Sequence, residues 1–220
     1  MSKRTRNPLL QGQYHQYLAD QDSAAYAAAV SERYSVGTLQ RLAVTGDRMA
    51  RRAAVFALGL VADYQANATL GRAMNDDDRG VRLLAENGIR TLWCRAGNER
   101  QQRTLEAIIA LNGERRFQDA IDQATRLIDE IPWLAEAWNQ RAIALFSIGR
   151  FVESIHDCEQ TLEINPYHFG AASGMAQSHL QLSNRTAALE CFRRALKLNP
   201  NLEGVRAHVL YLQRTLKSQE

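Results

Sequence analysis

Residues 135–166, AEAWNQRAIALFSIGRFVESIHDCEQTLEINP, hold two apolar stripes separated by one glycine and closed by one proline. Trp138, Ala142 and Leu145 recur at spacings of three and four, which places them on one face of a helix from Ala135 to about Ser147. Gly149 follows, and glycine reaches positive φ at little steric cost, so the chain turns there. A second helix opens at Phe151, carries Ile155, Cys158 and Leu162 inward, and ends at Asn165-Pro166. Proline lacks an N–H and pushes its predecessor out of helical geometry. The stretch reads as a helical hairpin.

The hairpin recurs on both sides. Pro132, Pro166 and Pro200, three of only four prolines, stand 34 residues apart. The same shift aligns Ala120 with Ser154 and Ala188, Ile121 with Ile155 and Leu189, and Ile128 with Leu162 and Leu196 without a gap. Small residues at Ala142, Ala176, Ser154, Ala188 and Ala195 mark where the two helices of a hairpin approach closely. Residues 202–217 read as one more helix, with Leu202, Val205, Val209, Leu212 and Leu216 on one side, suited to cap the end of a stack.

The series Trp138, Ala142, Leu145, Gly149-Arg150-Phe151, Ser154-Ile155, Thr161-Leu162, Asn165-Pro166 resembles the tetratricopeptide repeat family, over about residues 101–202. Individual units depart from it: Thr104 and Ile108 stand where Trp138 and Ala142 do, and Arg185 where Phe117 and Phe151 do. The resemblance implies an all-α fold, an α-solenoid of helical hairpins wound as a right-handed superhelix, whose first helices line a concave groove. On this register the groove presents Leu105, Ile109 and Asn112, then Asn139, Ile143 and Phe146, then Ser173, Gln177 and Leu180. That uncharged set suits an extended peptide or a helix of a partner protein, with alkyl anchors for affinity and amides for its backbone. Occupancy by the N-terminal half or by a second copy, hence a homo-oligomer, is the alternative. Some members of the family grip a chaperone's C-terminal carboxylate with Lys, Asn and Arg; Leu105, Ile109, Gly170 and Gly174 fall where several of those side chains belong, so no such clamp is expected.

Residues 35–95 lack that register, yet a shift of 31 aligns Leu39 with Leu70, Asp47 with Asp78, Arg51 with Arg82, Ala54 with Ala85, Leu58 with Ile89 and Val61 with Leu92. Each unit again reads as a helix pair, with Asp47 and Asp78 at helix N-caps. Asp47 to Gly59 and Asp78 to Ala85 look like short HEAT repeats. The expected organisation is a disordered tail at 1–11, HEAT-like repeats at 12–98 beginning with a helix near Gln13–Tyr34, and a tetratricopeptide domain with capping helix at 99–220, stacked as one rod or arc.

Composition narrows the function. The net charge is only +3, and Lys3, Arg4 and Arg6 equal the whole surplus, which makes nucleic acid an unlikely partner. Arg51, Arg52, Arg82 and Arg90 are the one basic strip that could serve it. Cys94, Cys158 and Cys191 have neither CxxC pairing nor zinc-finger spacing, so no metal, cofactor or disulfide framework is expected. Asp76-Asp77-Asp78 reads as a solvated turn and cap rather than a cation loop. His156-Asp157-Cys158 is the only cluster with nucleophile chemistry, but consecutive helical residues diverge by about 100°, so no catalytic residue and no enzyme are expected. With no signal peptide or membrane span in the pattern, the expectation is a cytoplasmic scaffold.

Overall fold

Three turns on one register organise the C-terminal part of the chain. Arg115, Gly149 and Ser183, spaced by 34 residues, all take left-handed backbone conformations with φ of 63°, 82° and 61°. Around each, two backbone bonds close a helix end: Arg116, Arg150 and Asn184 donate to Leu111, Leu145 and His179, while Arg115, Gly149 and Ser183 donate to Asn112, Phe146 and Leu180. This is the Schellman arrangement, which satisfies carbonyls that the helix leaves without partners. The second helices then start at 117, 151 and 185.

The computed structural model describes residues 9–217. Among them are thirteen α-helices, one 3-10 turn and no strand, and no helix is long and apolar enough to cross a membrane. The chain divides into two units, one ending at Leu92 and the other beginning at Trp93, six residues before the expected boundary.

The C-terminal unit contains the hairpins α7 (Glu99–Gly113) with α8 (Phe117–Glu130), α9 (Ala135–Ser147) with α10 (Phe151–Ile164), and α11 (Phe169–Gln181) with α12 (Arg185–Leu198), followed by α13 (Glu203–Lys217). One apolar cluster joins Leu105, Ile108, Ala124, Leu127, Ala137 and Leu145 across the first hairpins. A second joins Ala142, Cys158, Ala176, Phe192 and Leu212 across the later ones. Between hairpins, Asn165 and Asn199 precede the prolines, and their Oδ1 atoms accept from the backbone of Tyr167 and Asn201 at 3.2 and 3.0 Å. These bonds set the entry of the next helix.

In the N-terminal unit, α1 (Leu9–Asp20) and α2 (Ser23–Arg33) replace the single helix expected near Gln13–Tyr34. Gln21 is left-handed at φ 58° and Asp22 caps α2 through Ala25 N at 2.9 Å, so the chain breaks between them. Residues 1–8 of the expected tail lie outside the described residues; Leu9, Leu10 and Gln11 are helical, with Leu10 and Gln11 buried. Helices α3 (Val36–Thr45), α4 (Arg48–Val61), α5 (Asn67–Ala73) and α6 (Arg79–Cys94) follow. Asp47 and Asp78 accept from Ala50 N and Val81 N at 2.9 and 3.0 Å, the N-cap geometry their positions predicted. Tyr14, Tyr17, Tyr26 and Phe56 pack their rings between α1, α2 and α4, with Tyr17 and Phe56 centroids 4.3 Å apart. Helices α4 and α6 touch through glycine: a Cβ on Gly59 would stand 2.8 Å from the Gly88 Cα.

Candidate functional site

The first helices α7, α9 and α11 pack side by side and carry the nine positions expected to face a ligand. Their exposure separates them. Ile143 is 43% exposed and Gln177 is exposed, while Ile109, Asn112, Phe146, Ser173 and Leu180 are half-buried. Phe146 leans edge-on against Phe151 of its own hairpin, with centroids 5.4 Å apart. Two positions are withdrawn. Leu105 is fully buried in the first apolar cluster. Asn139 is 7% exposed and donates to Glu136 Oε1 at 2.9 Å.

Two of the three amides, Asn112 and Asn139, thus spend their donors within the protein, while Gln177 is exposed. Asn112 Nδ2 donates to the backbone O and the Oε1 of Gln140, at 3.0 and 2.9 Å, leaving Asn112 Oδ1 without a partner. Gln140 Nε2 donates to Glu136 Oε1 at 2.7 Å, and His168 Nε2 meets Glu136 Oε2 at 2.9 Å. His168 also caps α11, its Nδ1 accepting from Ala171 N at 2.9 Å. A ring nitrogen that accepts carries no hydrogen, so Nε2 is the donor to Glu136. The Trp93 ring stacks on His168 with centroids 4.1 Å apart. Burial pushes the Glu136 carboxyl up, but the bonds from His168, Gln140 and Asn139 outweigh it and hold the group below its ordinary value. One carboxylate thus links α7, α9 and the cap of α11.

Nothing in the residue types of Glu136 and His168 announced this network. The one signal was a break in register: His168 stands where the neighbouring hairpins place Leu134 and Leu202, and Glu136 where they place Gln102 and Gly170.

The other clusters resolve into packing and ion pairs. Asp157 is clamped by Arg141 through Nε and Nη2 at 2.7 and 2.9 Å, and Arg141 also reaches Thr125 Oγ1 and lies 4.9 Å from the Trp138 ring centroid. Cys158 is buried, which pushes its thiol up to about 12, while the neighbouring His156 points into solvent. A thiol of that acidity is not a nucleophile. In the N-terminal unit, Arg51 grips Asp76 at 2.7 and 2.9 Å, Arg52 grips Asp78 at 2.7 and 2.8 Å, and Arg90 pairs with Glu86 at 3.3 Å. Arg82 donates to the backbone oxygens of Asp76 and Asp77. Arg51, Arg52 and Arg82 of the basic strip are thereby engaged by the acidic turn, and Arg90 by its own helix. Among the described residues no group of three or more His, Cys, Asp or Glu could hold a metal ion.

Two stretches, 135–168 and 173–202, match the tetratricopeptide repeat family. A TPR repeat-containing protein of Rhizobium etli is 33% identical over 114 residues, 52% of this chain and 56% of that one. The Hsp70-Hsp90 organizing protein of Triticum aestivum is 29% identical over 92 residues, 42% of this chain and 16% of that one. The human DnaJ homolog subfamily C member 7 is 30% identical over 90 residues, 41% of this chain and 18% of that one. The chain thus spans just over half the length of the first relative and under a fifth of the other two. Among solved structures, the first TPR of Spaghetti (RPAP3) bound to the HSP90 peptide SRMEEVD is similar with a TM-score of 0.52, at 21% identity, over 55% of this chain and 96% of that one. The first TPR domain of human RPAP3 gives 0.51 at 22% identity, over 54% and 93%. At these identities the likeness is one of fold. Two family matches lie on the same 34-residue register as three helical hairpins, so residues 135–202 of this chain carry tetratricopeptide repeats.

Proposed function

We propose that the chain is a non-catalytic protein-interaction adaptor that holds a peptide or helix of a partner protein along α7, α9 and α11. Ile143 carries the reading: a branched aliphatic side chain, 43% exposed at the centre of the middle first helix. Half-buried Ile109, Phe146 and Leu180 flank it, and none of the nine positions is charged. An exposed apolar anchor inside an uncharged strip is where a ligand side chain gains most from leaving water. The first TPR of RPAP3, a protein of this fold, is bound to the HSP90 peptide SRMEEVD. In this chain, however, Ile109 and Gly174 stand where a carboxylate-gripping groove needs polar or basic side chains. The peptide favoured here is bound by apolar side chains rather than by a terminal carboxylate.

Retention of partners from lysate by the native chain and by Ile143→Asp tests this, with circular dichroism confirming that both are folded. Loss of a partner with the variant supports the reading; the same proteins on both move the site elsewhere. Titration with SRMEEVD should show no saturable binding, and micromolar affinity would overturn the apolar preference. The nucleic-acid alternative has lost its main support, because Arg51 and Arg52 already hold carboxylates.

A further inference from the structure

Within the N-terminal unit, α1 and α2 enclose a cavity of about 190 Å³. Alanine makes the room: Ala25 and Ala29, one turn apart on α2, line it where larger side chains would fill it. Tyr17 and Tyr26 wall it with aromatic rings, and Tyr17 backs onto Phe56 at a centroid distance of 4.3 Å. Asp20 and Asp22 stand exposed at its rim, where α1 passes to α2, and no lining residue is basic. The volume falls below that of a pocket for a drug-sized molecule and suits one side chain or a short-chain amine.

The hydrogen-bonding capacity of the walls is one-sided. Gln13 Nε2 donates to Ala29 O at 3.1 Å, Gln16 Nε2 to Asp20 Oδ2 at 3.0 Å, and the Tyr26 hydroxyl to Ala53 O at 2.9 Å. These donors are turned into the protein. Gln13 Oε1 is left buried without a partner; because Nε2 faces a carbonyl, the orientation of the amide is fixed and the orphan is an acceptor. Asp20 Oδ1 and Asp22 Oδ1 accept from the backbone N–H groups of Asp22 and Ala25, both at 2.9 Å, yet a carboxylate offers about four lone-pair sites, so both keep capacity. The bonds from the Asp22 N–H and from Gln16 hold the Asp20 carboxyl below its ordinary value, which keeps it anionic at neutral pH.

We infer that the α1–α2 cavity is a receptor for a guanidinium group on an alkyl stem, the stem against Ala25 and Ala29, the cation over the Tyr17 ring and its N–H groups toward Asp20 and Asp22. A planar guanidinium stacks on an aromatic face and spreads five donors over several acceptors, which a compact ammonium cannot do. A neutral apolar guest would leave the spare acceptors without donors, and an anion would meet two carboxylates. A metal ion lacks ligands, since among the described residues no group of three or more His, Cys, Asp or Glu could hold one. The site is independent of the first-helix face.

The test titrates the isotope-labelled full chain with acetyl-Gly-Arg-Gly-amide, with its citrulline and lysine counterparts, and with agmatine, following the amide signals of Tyr17, Ala25 and Ala29 by NMR. The arginine peptide should shift them saturably. The citrulline peptide, which keeps the shape and loses the charge, should bind at least about tenfold more weakly. Tyr17→Ala, and Asp20→Asn with Asp22→Asn, should each weaken binding about fivefold or more, whereas Ile143→Asp should not. Asparagine at position 22 still caps α2, so the paired variant reads charge separately from packing. Tighter binding of the arginine peptide than of agmatine assigns the guanidinium to a partner's side chain, and the reverse assigns it to a free small molecule; both support the site. No saturable shift, equal binding of the citrulline peptide, tighter binding of the lysine peptide, indifference to the paired variant, or shifts centred outside Gln13–Ala29 overturns the inference. So does binding that emerges only after deletion of residues 1–8, which would assign the cavity to this chain's own Lys3, Arg4 or Arg6.

Discussion

The three left-handed turns make opposite predictions for opposite substitutions. An L side chain in this region costs about 1–2 kcal/mol relative to glycine, and only Gly149 avoids that cost; Arg115 and Ser183 bear it. A Cβ added at Gly149 would meet nothing within 4 Å, so Gly149→Ala isolates the backbone cost and should destabilise by about 1 kcal/mol. Ser183→Gly and Arg115→Gly relieve the strain but give the unfolded chain more freedom, which removes about 0.4–1 kcal/mol of the gain. Each should stabilise by a few tenths to about 1 kcal/mol. All three tryptophans, Trp93, Trp133 and Trp138, lie in the C-terminal unit, so urea unfolding followed by their fluorescence reports that unit selectively. Gly149→Ala should move the midpoint down and Ser183→Gly should move it up at unchanged slope. If both variants shift the midpoint in the same direction, the reasoning from the shared turn is wrong.

Gly59→Ala should cost about 1–3 kcal/mol, because the new Cβ meets backbone 2.8 Å away rather than a side chain that can rotate; loss of helical circular dichroism at lower urea, ahead of the tryptophan transition, is the readout. Ala142→Trp should cost at least as much as that, since Ala142 is buried beneath α10, and a melting curve like the parent's would contradict the hairpin packing. The N-terminal unit should weaken in acid. The Arg52 bonds, with the Val81 N–H, hold the Asp78 carboxyl down at about 2, below its ordinary 3.8. Its contribution is therefore complete above about pH 4 and is lost as pH falls toward 2. Urea midpoints measured by circular dichroism from pH 5 to pH 2.5 should fall for the native chain and fall less for Arg52→Gln.

Much of the fold could be read from residue types because the hairpin is local. Three prolines on one spacing fixed the helix ends, and the turn residues between helices were legible at Gly149. They were hidden at Arg115 and Ser183, where neither side chain favours positive φ and only the register gives the position away. The break at Gln21 was likewise invisible, since a glutamine in a left-handed turn has no compositional mark. For the first-helix face, spacing placed Ile143 at what proves an exposed position, but it could not say which of the nine positions neighbouring residues would cover. Leu105 was lost to the core for that reason. Asn112 and Asn139 resemble ladder amides in sequence, and only three-dimensional placement of Glu136 reveals that their donors are already engaged.

The shared carboxylate of Glu136 has a kinetic consequence. Because α7, α9 and the start of α11 are tied through Gln140, Asn139 and His168, no one of them can separate without stranding a buried charge or a buried donor. Opening should then be concerted, with slow amide protons in the three helices exchanging through one shared event rather than fraying independently. A ligand arriving at such a wall finds it already ordered, so the entropy lost on binding belongs almost wholly to the ligand.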